Sequence, residues 1–156
     1  MFEQYGVARA TTRKKSLAAQ ICKELTVHAK IEDEIFYPKV KAALKDHELI
    51  PEALVEHDSL KKLIAEIQGR EPDGEMFDAK VKVLSEYVKH HVKEEQTEMF
   101  PKAKKTQLDM KAIGAELLAR ETPLLAPIPY SAHPVVSGPV LPPFPALFTS
   151  FFTSPA

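Results

Sequence analysis

Between residues 12 and 99 apolar side chains return at steps of three and four, the period of one helix face, and the same stripes carry histidine and glutamate. Ala18, Ile21, Leu25, His28, Glu32 and Ile35 follow one another at 3, 4, 3, 4 and 3. This predicts a helix from Thr12 to the Phe36-Tyr37-Pro38 segment, where proline disfavours continuation. Leu54, His57, Leu60, Ile64 and Ile67 define a second stripe, on a helix that begins near Pro51 and stops at Gly69. After a Pro72-Asp73-Gly74 turn, Phe77, Val81, Leu84, Val88, His91, Glu95 and Met99 place a third helix over residues 75–99. A shorter fourth helix is expected over residues 107–120, packed across the others. The fold class is therefore all-α, an up-down helical bundle with polar residues on its buried side.

Those polar residues form an internal repeat. His28-x3-Glu32-x5-Pro38 and His91-x3-Glu95-x5-Pro101 share every offset and lie 63 residues apart. A histidine and a glutamate four apart on a helix stand one above the other, so a nitrogen and an oxygen can close on one ion. One such pair alone would read as a buried hydrogen bond; two copies and a third stripe histidine, His57, read as a metal site. In an up-down-up arrangement the two copies run parallel and reach the same height. At ~1.5 Å per residue, Glu32 lies ~9 Å and His28 ~15 Å from Pro38, and His57 ~9 Å from Pro51 on the antiparallel helix. Burying two carboxylates at one level without a counter-charge would be costly. Imidazole with shared carboxylate suits iron, manganese or zinc, and the lack of thiolates argues against a structural zinc site.

Composition narrows the remaining choices. All 21 basic and 22 acidic residues fall in residues 1–121, whereas 122–156 is uncharged and holds nine of the 13 prolines. The division predicts one domain over 1–121 and a Pro-rich, disordered tail over 122–156. A net charge of −1 gives no excess to hold a phosphate backbone, so nucleic acid is not expected as a partner. No apolar run approaches a membrane span, and no secretory signal stands at the start, which makes the cytoplasm the expected compartment. Cys22, the single cysteine, reads as a small buried hydrophobe, and Arg13-Lys14-Lys15 as a solvated helix face. Of the other imidazoles, His47 falls in a connection, His90 faces outward and His133 lies in the tail.

His28-x3-Glu32, Glu56-His57 ahead of Leu60, and His91-x3-Glu95 followed by Met-Phe-Pro resemble the hemerythrin-like, or HHE cation-binding, domain family over roughly residues 1–120. The resemblance implies a four-helix bundle around a non-haem di-iron centre. Glu32 and Glu95 would bridge the irons, and His28, His57 and His91 would be terminal ligands. The family's first helix carries one more histidine ligand, ahead of a segment that MFEQYG resembles. Five of six expected ligands are thus present, and the chain reads as truncated at its start. An apolar groove and self-association are expected to follow.

The function implied is binding of two irons, or one, together with a diatomic ligand such as oxygen or nitric oxide. Iron storage or sensing and repair of iron-sulfur centres are other roles the family suggests. No acid-base group outside the metal set indicates an enzyme, although redox turnover at a di-iron centre stays open. The alternative from another class is a metal-free helical interaction module, a relative that lost its first helix.

Overall fold

The computed structural model describes residues 1–44, 48–72 and 74–125. The described elements are helical: α1 (Phe2–Val7), α2 (Thr11–Ile31), a π-helical turn (Glu32–Phe36), α3 (Tyr37–Ala43), α4 (Leu49–Ile67), α5 (Glu75–Glu94), a second π-helical turn (Glu95–Met99), α6 (Phe100–Lys104) and α7 (Met110–Leu125). Gly69, at φ 71°, takes the left-handed conformation that closes α4. Among the described residues, no helix is long and apolar enough to cross a membrane.

The core falls into two apolar clusters. One is built on Leu17, Ile21 and Cys22 of α2, Leu60, Ile64 and Ile67 of α4, and Phe77, Val81 and Leu84 of α5, with Tyr5 of α1. The other gathers Val27, Ile31 and Phe36, then Ile50 and Ala53, then Met99, Phe100 and Ala103, and is closed by Ile113 and Leu117 of α7. Chain order through the clusters gives the topology. The arm beginning with α2 runs from the first cluster to the second, α4 returns, and α5 climbs again, an up-down-up path. His28, Glu32, His57, His91 and Glu95 sit on these helices between the two sets of apolar residues, as a polar layer within the core.

Several expectations change. Pro38 and Pro101 do not end their helices. Each follows a π-helical turn and lies in the first turn of the next α-helix. A proline ring crowds the carbonyl four residues back and offers no N–H; one wider turn just upstream changes that spacing and lets the helix continue. The extra residue also moves the register. Beyond Glu32, Phe36 and Tyr37 take fully buried positions and Ile35 is only half-buried. In α4, Ala53 is buried and Leu54 is 38% exposed, so the stripe runs Ile50, Ala53, His57, Leu60. The last helix continues through Pro123 to Leu125, so the first residues of the expected tail are helical. The tail from residue 126, with His133, and the connection holding His47 lie outside the described residues.

Candidate metal centre

The two copies of the repeat fold alike. In each, the histidine lies in the last turn of an α-helix and the glutamate is the first residue of the π-helical turn. The N–H of Tyr37 donates to the Glu32 carbonyl, and the N–H of Phe100 donates to the Glu95 carbonyl. π-Turns are uncommon and cluster at functional sites. Here the widened turn lies between the glutamate and the proline that demands it.

The five histidine and glutamate side chains converge. Glu32, His57 and His91 offer ligand atoms within 4.8 Å of one another, and so do His28, Glu32 and Glu95; Glu32 belongs to both groups. His28 Nε2 lies 3.3 Å from Glu32 Oε1, His57 Nε2 3.4 Å from Glu32 Oε2, and His91 Nε2 3.9 Å from Glu95 Oε1. Glu32, His57, His91 and Glu95 are buried, and His28 is nearly so.

Two further carboxylates fix the imidazoles. His57 Nδ1 donates to Asp33 Oδ1 at 2.7 Å, and His91 Nδ1 donates to Glu56 Oε2 at 2.7 Å. A carboxylate has no proton to give, so each Nδ1 carries a hydrogen and each ring turns its Nε2 inward. Those two Nε2 atoms are 3.1 Å apart. Among the described residues, neither buried oxygen of Glu32 has a hydrogen-bond donor. Carboxylate oxygens buried without donors are costly, and a cation among them and the imidazole nitrogens would remove that cost. The donor set therefore fits a metal ion.

The protonation balance has the same origin. Burial, with the charges of Asp33 and Glu121, holds the Glu32 carboxyl well above the usual range. Burial and the neighbouring Glu32 push Glu95 up to about 8. Burial, reinforced by His91 and His57, pushes His28 down to about 3. Without a cation, the layer favours neutral carboxyls and a neutral imidazole.

The sequence model of the hemerythrin HHE cation-binding domain matches residues 1–103, about two thirds of the chain. The chain belongs to this family. The HHE match covers both repeat copies and His57. A curated relative, a DNA nickase of Nostoc sp. (strain PCC 7120 / SAG 25.82 / UTEX 2576), is 32% identical over 81 residues. That alignment covers 52% of this chain and 23% of the nickase, so the chain spans less than a quarter of that relative. No solved structure matches significantly.

Within the HHE domain the structure adds groups that sequence reasoning did not assign. Asp33 and Glu56 orient His57 and His91, and the only signal was adjacency: each precedes or follows a stripe residue. Tyr37 is the third. Its hydroxyl donates to Glu95 Oε1 at 3.0 Å and lies 3.2 Å and 3.3 Å from the Nε2 atoms of His57 and His91. Comparison of the copies could have found it, since Tyr37 occupies the place that Phe100 holds in the second. Burial, with Glu32 and Glu95 nearby, raises its pKa and keeps the phenol protonated.

A cavity of about 210 Å³ reaches this layer. Phe2, Ile21, Leu25, Leu60 and Val88 line it beside His28, His57 and His91, and Glu24 and Glu121 lie at its wall. Cys22 is fully buried, and burial raises its thiol to about 11, as suits a core residue. Lys14 of the basic cluster is bonded to Asp78 at 2.6 Å, and Lys15 pairs with Glu71.

Proposed function

We propose that this HHE domain holds two iron ions through His28, Glu32, His57, His91 and Glu95, and takes a diatomic ligand such as oxygen or nitric oxide beside them. One observation carries the reading: two groups of metal-ligating side chains share Glu32. A shared carboxylate between two imidazole-containing groups suits a pair of like cations, and mixed nitrogen and oxygen donors suit iron. Bound iron would supply the coordination and redox chemistry for the small ligand.

The chain's own residues do the rest. Asp33 and Glu56 hold the inward tautomers of His57 and His91. Tyr37 keeps a proton on its phenol oxygen, next to Glu95 and both Nε2 atoms. Apolar side chains around most of the cavity suit a small neutral molecule. The test is anaerobic loading with ferrous iron, followed by iron analysis and titration with nitric oxide. Two irons per chain and an optical change on nitric oxide are expected. A chain that folds fully and holds no iron would favour the metal-free interaction module.

A DNA-directed role is the second reading, and the identity with the Nostoc DNA nickase favours it. The net charge of −1 weighs against strong binding to a phosphate backbone. Mobility shift and nicking of supercoiled plasmid by the metal-loaded chain separate the two. DNA left unshifted and intact is the outcome expected for the iron-binding reading.

A further inference from the structure

His91 on α5, Glu95 at the start of the π-helical turn that follows, and His57 on α4 are each preceded in the chain by a second metal-ligating residue. His90 precedes His91, Glu94 precedes Glu95 and Glu56 precedes His57. One residue turns a helix by about 100°, so these residues form their own group toward solvent. Glu56, His90 and Glu94 bring ligand atoms within 4.8 Å of one another. His90 Nε2 lies 3.1 Å from Glu94 Oε1 and 3.6 Å from Glu56 Oε1. A cation held ~2.1 Å from each donor needs donors about 3–3.5 Å apart, so little movement would close the group. The side chains are 63%, 33% and 23% exposed for His90, Glu94 and Glu56, which leaves the position open to solvent ions.

A second observation ties this group to the centre. Glu56 uses one oxygen on each side: Oε1 faces His90, and Oε2 accepts the 2.7 Å hydrogen bond from His91 Nδ1. An ion taken up outside would sit one carboxylate away from an inner ligand. We propose that Glu56, His90 and Glu94 form an outer divalent-cation site from which the buried centre is loaded. The loading role rests on the inner-centre reading; the outer site itself does not. Two carboxylates and an imidazole select a transition-metal dication over a monovalent ion.

The experiment uses cobalt(II) as the probe, on the full chain, by equilibrium dialysis and stopped-flow absorbance. Wild type should bind one weakly held cobalt beyond the tightly held inner ions. The double variant His90→Ala/Glu94→Gln, at surface positions that leave far-ultraviolet helicity unchanged, should lose that equivalent. It should fill the inner positions to the same final level, on the order of tenfold more slowly. Glu32→Leu should lose the inner ions and keep the outer one. Absence of a weak equivalent in wild type, or its survival in the double variant, would overturn the site. Loss of that equivalent with an unchanged filling rate would overturn the loading role. A wild-type chain with the weak cobalt alone would sink the inner-centre proposal and leave the outer site standing.

Discussion

The two repeat arms share a backbone and differ in what surrounds their glutamates. Both run from an α-helix through a π-helical turn into a proline-led helix. On the second arm, Glu95 accepts a hydrogen bond from Tyr37. On the first, Glu32 finds no donor for either oxygen among the described residues and belongs to both ligand groups. A phenol across the core serves one carboxylate, and no described residue donates to the other. The difference assigns the arms unequal dependence on a cation: Glu32 needs the ion, and Glu95 has a partner of its own.

Glu32→Leu should therefore have the largest effect. It removes the shared ligand, and metal content should fall to near zero, while Glu95→Leu should retain part of it. In the metal-free chain, Glu32→Leu should raise stability by about 1–4 kcal/mol, because a buried carboxyl without donors gives way to an apolar side chain. Urea unfolding of metal-free and loaded samples checks both halves. A Glu95→Leu variant as empty as Glu32→Leu would erase the distinction between the arms.

The next effect concerns the groups behind the imidazoles. Asp33→Asn and Glu56→Gln keep the shape but weaken the hold on the inward tautomers, and each should lower metal affinity ~10–100-fold. Competition with a chelator reads this directly. His90→Ala, whose ring is exposed, should leave the inner metal content at equilibrium unchanged, whereas His91→Ala should remove much of it.

A smaller effect separates the states by pH. Glu32 and Glu95 are raised in the folded metal-free chain, Glu95 to about 8, so the folded state binds more protons than the unfolded one above the ordinary value of 4.5. Their contribution is present below that value and is lost as pH rises through the folded pKa. His28, lowered from 6.5 to about 3, acts oppositely only below 6.5. Between pH 6.5 and 8 the metal-free chain should thus lose stability, by on the order of 1.4 kcal/mol per pH unit for one carboxyl. Loaded protein should show no such decline, and thermal melts across that range test it.

Tyr37→Phe is the mildest change. It makes the first arm match the second at that position, as Phe100 does, and should cost the loaded protein about 0.5–1.5 kcal/mol for one hydrogen bond. A loss of all metal would show that the phenol oxygen is itself a ligand.

Much of this centre was legible from period and spacing. The stripe placed His28, Glu32, His57, His91 and Glu95 on the buried side because a single turn length, 3.6 residues, governs most of each helix. It failed where that length changes. The π-turns carried Phe36 and Tyr37 into the core and let the chain pass Pro38 and Pro101, which a local proline rule reads as stops. Ala53 is buried and Leu54 is not, although steps of three and four from Ile50 to His57 fit either residue, so spacing alone does not choose between them. Asp33, Glu56 and Tyr37 were hidden for another reason. Their partners lie on other helices, and no spacing along one helix reports a contact across the core.

Iron analysis of the full chain after anaerobic ferrous loading tests the central claim most directly, with Glu32→Leu alongside. The arrangement of two ligand groups on one glutamate predicts two irons per wild-type chain and near zero in the variant. Two irons in both proteins, or none in a fully folded wild type, would contradict it.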